Sequence, residues 1–529
     1  MTGFKTTLLT ATALTMLTGA ALADNNKAYI HQGSTGNEAT ITQQGAGNNQ
    51  AGKSAQPGGA IDQGADAGIG SYNKLTIDQN GQNLKVGTLG NYVTDHSNLG
   101  GAGVDQYGNA NVANVTQTGS DNSVGSILQT GAASGTATGN TLTITQSNNG
   151  NNIDYVGQKY QTVANGATGA NNASLNFSGQ NNGTSGLSGV ASYYGASVSV
   201  DGVNSPNGVW QIGANNATDL TVSGNKNSFA IRQFGQSNQA SNLTIEGNSN
   251  SLGISQDGVA NKATVATLAN GSNSNSVGVI QYNNRNQADV NVRGSYNQAL
   301  AYQSGDENAS IHNISGDSNN VYSYQGGNKN KINGNITGDS NFSHSNQYGT
   351  ENIATLSITG NSNYSGFNQY GSDNVIDNSI NGNNNNLWSY QSGSKNSSTT
   401  SVIGNSNRLY TSQSGNSNII NASIAGDRNN SGYSFSNTII TSKQTSEGLY
   451  FGPGNIIQNG GYTKGNEVNL TVSSSDNLFT TYQSGNGNKI DGSIGGSGKN
   501  QAFVAQIGNS NLTNFVQNGS GNALAVVQK

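Results

Sequence analysis

The side chains whose type and spacing could do chemistry here are amides and phenols. Gln281, Gln303, Gln325, Gln347, Gln369, Gln391 and Gln413 follow one another at intervals of 22 residues. Asn308, Asn330, Asn352, Asn374, Asn396 and Asn418 keep the same interval, each five residues after a glutamine. Tyr302, Tyr324, Tyr348, Tyr370, Trp388, Tyr390 and Tyr410 lie within three residues of those glutamines, as Tyr482 does beside Gln483. A primary amide is both donor and acceptor, so a column of amides can hydrogen-bond from one member to the next indefinitely. A column of aromatic rings can stack on itself or offer an adhesive face for cells, glycans or sister filaments. Both are chemistries of recognition rather than of bond breaking.

Reaction chemistry finds little to work with. His31, His96, His312 and His344 share no ligand spacing, and with no cysteine there is neither a thiolate site nor a disulfide. Aspartates sit singly in turns, as at Asp317 and Asp339, too sparsely for a calcium-binding β-roll. No Gly-x-Ser-x-Gly elbow with a histidine partner stands out. We expect no enzyme activity, metal or cofactor. A net charge of −5, with 9% charged residues and no cluster of Lys and Arg, argues against nucleic acid as a partner.

The elements that must position these columns follow from composition and period. With 75 glycines, 3 prolines and 32% hydrophobic residues the chain cannot build a thick core, and composition by itself would suggest disorder. Disorder needs no register, however, and this chain keeps one for hundreds of residues. If Gln347 points inward, period-2 alternation puts Ser343, Ser345, Asn352, Ala354, Leu356 and Ile358 on the same side. The next unit gives Phe367, Gln369, Asn374, Ile376 and Ile380. The unit is strand, turn, strand, turn, with glycine and asparagine at the bends because both accept positive φ. We therefore expect an all-β fold, a flattened β-solenoid of 22-residue rungs, each made of two 11-residue halves, forming two facing parallel sheets. There is room for roughly 20 rungs, a rod on the order of 100 Å long. The inward glutamine column extends to Gln211, Gln233 and Gln256 before the regular block, and to Gln458, Gln483, Gln506, Gln517 and Gln528 after it.

The organisation reads as five segments. Residues 1–23 carry Lys5, an apolar run from Leu8 to Leu22 and the small-x-small triplet Ala21-Leu22-Ala23, the pattern of a cleaved secretory signal. Residues 24–210 are irregular repeats with loops around Pro57 and Pro206, 211–430 the regular block, 431–457 a degenerate rung or loop where Phe435 replaces glutamine, and 458–529 further repeats.

The form Gln-x-Gly-x-x-Asn-x-Ala, with a second Gln 11 residues on, resembles the curlin repeat of bacterial curli fibres. It stands here as Gln32 to Gln43, as Gln106-Tyr-Gly108-Asn-Ala-Asn111 to Gln117, and as Gln506-Ile-Gly508-Asn-Ser-Asn511 to Gln517 and then Gln528. The resemblance implies an exported, amyloid-forming subunit of an extracellular adhesive and biofilm matrix. It also implies other curlin subunits as partners, export through an outer-membrane pore with accessory proteins, and attachment to host or abiotic surfaces. Two departures stand out. Val292, Ile314, Ile336, Ile358, Ile380, Val402 and Ile424 replace the second glutamine, and the repeats are several times more numerous than in a typical curlin. The alternative is a non-polymerising surface adhesin or ligand-binding rod, for example an ice-binding one.

Overall fold

The computed structural model describes residues 25–33, 35–45, 47–53, 61–63, 72–88, 103–131, 139–160, 169–184, 207–267, 271–431, 443–444, 450–451, 453–461 and 463–529. The leader read at 1–23, Pro57, Pro206 and Phe435 lie outside these residues. Strands make up all the regular structure described. Apart from the short antiparallel pair of Lys443–Gln444 with Tyr450–Phe451, they alternate between two sheets, here called the Gln arm and the aliphatic arm. In the Gln arm the strand Phe342–Thr350 pairs in parallel with Asn320–Asn328 before it and Tyr364–Ser372 after it. In the aliphatic arm Ile353–Thr359 lies between Lys331–Thr337 and Val375–Asn381 in the same way. The register is like on like: Gln347 lies on Gln369, and Ile358 on Ile380.

The result is the expected β-solenoid, with about 18 rungs, fewer than anticipated because insertions consume chain. At the ~4.8 Å spacing of paired strands this makes a rod of about 85 Å. Both stacks are open. Among the described residues Glu38–Gln44 pairs only with Lys74–Gln82, and Leu512–Ser520 only with Lys489–Gly498.

The core is the narrow space between the arms, filled by the side chains that alternation points inward. Ser343, Ser345, Gln347, Asn352, Ala354, Leu356 and Ile358 are all buried, as are Phe367, Gln369, Asn374, Ile376 and Ile380. No single rung could bury these groups; each is covered by the rungs above and below, so stability is shared between neighbours.

The bends correct one expectation. Glycine does take positive φ, for example 117° at Gly349, where an added Cβ would run into the carbonyl oxygen of Gly371. The asparagines of the buried ladder do not. Through the regular block the left-handed residue is the one before each of them, such as Glu351 at 58° and Ser340 at 58°, and at Asn384 (56°) that residue is itself an asparagine. Asparagine is there for its side chain: Asn352 Nδ2 donates to Asn330 Oδ1 (3.0 Å) and to the Gly371 carbonyl (2.9 Å).

Insertions enter the Gln arm and the turns. The Gln arm is split between Gln50–Ala51 and Ile61–Gln63, and again between Lys85–Val86 and Val104–Tyr107. The segment 431–454 adds no rung, since Arg408–Asn416 pairs directly with Asn455–Gly460. The aliphatic arm takes only one-residue bulges within its described strands, where Ala240 to Leu243 lies opposite Thr218 to Leu220 and Gly495 to Gly498 opposite Asn518 to Ser520.

Candidate functional site

Two repetitive arrays could act: the amide ladders inside the rod and the aromatic face outside it. The Gln ladder runs in one direction. Each Nε2 donates to the Oε1 of the glutamine one rung further on, at 2.6–2.9 Å, from Gln32 through Gln63, Gln106, Gln129 and Gln158 to Gln211. It continues through Gln233, Gln256, Gln281, Gln303, Gln325 and Gln347. From there it passes Gln369, Gln391, Gln413, Gln458, Gln483 and Gln506 to end on Gln528. The second amide hydrogen goes to a backbone carbonyl of the opposite arm, as from Gln347 to Lys331 at 2.9 Å. The Asn ladder runs the other way: Asn330 donates to Asn308, Asn374 to Asn352, Asn396 to Asn374 and Asn418 to Asn396, at 3.0–3.1 Å. Every rung is thereby tied to both neighbours by paired polar groups in a dry interior, where an unpaired amide costs about 1–3 kcal/mol.

Gln517 is inward but belongs to neither run. It stands in the aliphatic arm above Ile494, donates to the Gln501 carbonyl (2.9 Å) and leaves its Oε1 without a partner. Among the described residues a second glutamine ladder stands near the start, where Gln43, Gln79, Gln117 and Gln146 link at 2.7–2.9 Å before Phe177 takes the column over.

On the outer face of the Gln arm the aromatic side chains stack from rung to rung. Tyr302 lies on Tyr324 (centroids 4.6 Å apart, planes 9°), Tyr348 on Tyr370 (5.2 Å, 2°) and Phe342 on Tyr364 (5.0 Å, 5°). Tyr364 reaches Trp388 at 6.1 Å, and Tyr370 reaches Tyr390 at 5.8 Å. Where the Tyr302–Tyr324 column should continue, the next two rungs carry Asn346 and Asn368, and beside them Gly366 stands between His344 and Trp388. The missing rings leave a trough of about 520 Å³, walled by Tyr322, Tyr324, Tyr348, Tyr364, Tyr370 and Trp388 and floored by the two asparagines. Gly366 admits the Trp388 ring, which an added Cβ would strike.

No Lys, Arg, Asp or Glu lines this trough. Burial pushes the Tyr322 and Tyr348 phenols up, and burial together with its tyrosine neighbours pushes Tyr302 up to about 12, so all three stay protonated. Burial also holds His344 below its ordinary value, partly offset by its hydrogen bond with Asn346, so it is neutral at pH 7. Asn346 Nδ2 donates to Asn368 Oδ1 at 2.9 Å. The site is an uncharged cleft of ring edges, ring faces, hydroxyls and amides.

Of the aromatic residues expected on this face, Tyr302, Tyr324, Tyr348, Tyr370 and Trp388 line the trough, and Tyr390 and Tyr410 continue the outer surface half-exposed. Tyr482 is set apart from them. It is 4% exposed, packed with Ala505 under Ile457, Phe503 and Ile507, and cannot act as an adhesive group. Alternation had missed Phe342 and Tyr364, although they share the period of 22 residues, and the pair Asn346 and Asn368, whose significance is a break in a tyrosine column.

The turn aspartates act within the fold: Asp339 Oδ1 accepts the Asp317 backbone N–H at 2.8 Å. Among the described residues no three His, Asp or Glu gather to hold a metal ion. No protein-family model matches the chain, and no curated protein matches it.

Proposed function

We propose that this chain is a secreted structural subunit that stacks end to end into curli-like extracellular amyloid fibres serving adhesion, surface attachment and matrix formation. The observation that carries the reading is the one-way glutamine ladder through every rung from Gln32 to Gln528. In-register stacking of identical amides on parallel strands is the bonding of a cross-β fibril, here realised within one chain. The ladder also has a sense. Its last member presents an amide donor and its first a carbonyl acceptor, so a second copy continues it only when first rung meets last rung. The terminal strands offer unpaired backbone groups for that union. The resemblance of the repeats to curlins supports export and adhesion.

The competing reading is a rod that works as a single-molecule adhesin, which the aromatic face favours. Removal of residues 506–529 separates the two. The fibre reading predicts slower elongation from preformed seeds, because the added end loses the rungs that Gln506 and Gln528 complete; unchanged elongation would remove that end from the mechanism.

A further inference from the structure

We propose that the trough over Asn346 and Asn368 is a binding site for an extended, uncharged polysaccharide strand lying along the rod axis. The proposal deepens the adhesion half of the reading above and rests on the Gln-arm face being exposed to the surroundings. It does not depend on polymerisation.

Four observations select this ligand. The lining carries no formal charge, so nothing in the trough would attract or orient an ionic polymer. The volume of about 520 Å³ lies within the ~300–1,000 Å³ of small-ligand sites. Its lining comes from successive rungs, from Tyr302 and Tyr324 across the two asparagine rungs to Trp388, so a ligand extended along the stack meets all of it. Finally, the walls and floor differ in kind. The stacks Tyr302–Tyr324 and Tyr348–Tyr370 join through the tilted contact of Tyr324 with Tyr348 at 5.1 Å, so the ring column steps aside from the two asparagines and forms a wall, offering aromatic surface to the C–H groups of a sugar ring. The floor offers amides: Asn368 accepts from Asn346, and the next rung carries Tyr390 in place of a further asparagine that would extend the amide pair. An amide N–H2 beneath an aromatic wall suits sugar hydroxyls, which accept and donate in turn.

Other occupants fit less well. An acyl chain or an apolar peptide would cover the asparagines without pairing them, at about 1–3 kcal/mol for each group left unsatisfied. A second copy of the chain presents, on the aliphatic arm, short side chains such as Asn333, Thr355, Ser357, Ser379 and Ser401, which cannot fill the trough.

The chain has two tryptophans, and Trp210 is stacked on Tyr155 in a different rung, so Trp210→Phe leaves Trp388 as a reporter inside the trough. Monomer held below the concentration of fibre formation is titrated with soluble β-linked oligosaccharides of glucose and of N-acetylglucosamine, with alginate oligomers as the anionic control. The proposal predicts a saturable change in Trp388 emission with at least one neutral series and none with alginate. The paired substitution Asn346→Tyr with Asn368→Tyr continues the tyrosine column across the gap. The stack of Tyr302 on Tyr324 indicates that the fold accepts it, which far-UV circular dichroism checks. It should weaken binding by about tenfold or more, equivalent to ~1.4 kcal/mol. No response to either neutral series, a response only to alginate, or equal binding by the folded double variant each overturns the proposal. Sugar binding by a chain that never polymerises refutes the fibre reading and leaves this one standing, whereas fibres without sugar binding do the reverse.

Discussion

Gln347 illustrates how much one side chain holds. It accepts from Gln325, donates to Gln369 and reaches the Lys331 carbonyl across the core. Gln347→Ala removes all three bonds, leaves two ladder neighbours each short of a partner and opens a cavity. The cost should be about 3 kcal/mol, seen as a lower urea midpoint and as faster hydrogen exchange confined to the flanking rungs. Uniform loss of protection along the rod would contradict the neighbour-only coupling. His312 is a second such residue. Its Nε2 lies 2.9 Å from Ser310 Oγ and 2.8 Å from Ser323 Oγ, its Nδ1 has no partner, and burial pushes its pKa down to about 4. The unfolded chain takes up a proton near pH 6.5 while the folded one resists until about 4, so stability falls as pH drops through that window. The contribution lost reaches about 3 kcal/mol below pH 4. The difference in melting temperature between wild type and His312→Asn should therefore change with pH between these values and be flat above 7. A parallel pair of curves would rule the buried imidazole out. The inward identity of Gln347 was legible because alternation and the 22-residue period agree on it. Burial at Tyr482 was not, because alternation gives the direction of a side chain and not the bulk of Phe503 and Ile507 beside it. Gln517 was misplaced for a related reason: 11 residues separate it from Gln506, so it faces inward from the opposite arm.

At the scale of the turn, two positions with positive φ behave differently. Gly349 at φ 117° has no room for a Cβ against Gly371, and Gly349→Ala should destabilise by about 2 kcal/mol or more. Glu351 sits at φ 58°, where glycine is at ease and an L side chain costs about 1–2 kcal/mol. Its ion pair with Lys329, at 3.5 Å, joins two exposed groups and adds little. Glu351→Gly should hence stabilise by up to about 1 kcal/mol, and a clear loss of stability would show the ion pair to outweigh the backbone strain. The sequence suggested asparagine as the left-handed residue of these bends, since it tolerates that region well. The ladder instead claims the side chain of the buried asparagine for the interior and displaces the strain to the residue before it, which varies among Ser, Glu, Lys, Asp, Arg, Tyr, Ala and Asn. Such variability hides the role from inspection, because no residue type marks the position. The trough was hidden for a similar reason, being made by the absence of tyrosine at Asn346 and Asn368.

The whole molecule is a stack whose stability grows with each added rung and whose ends remain open strands. The alternating columns on its surface, Arg285 with Glu307 at 2.7 Å and Arg428 with Asp476 at 2.7 Å, help hold register between neighbours without closing either end. Each ladder is one-way, so one end presents a Gln donor with an Asn acceptor and the other the reverse; growth by stacking should be directional, with single seeds elongating faster at one end when followed by fluorescence microscopy. The central claim is that rungs continue from one molecule into the next. Its most direct test is seeded thioflavin fluorescence with electron microscopy on the chain from Asp24, refolded from denaturant at micromolar concentration. The account predicts a lag that seeds abolish and fibres whose diffraction shows the ~4.8 Å spacing of stacked strands along the fibre axis. A β-rich protein that stays monomeric and gains nothing from seeds would contradict it and leave a rod that acts alone.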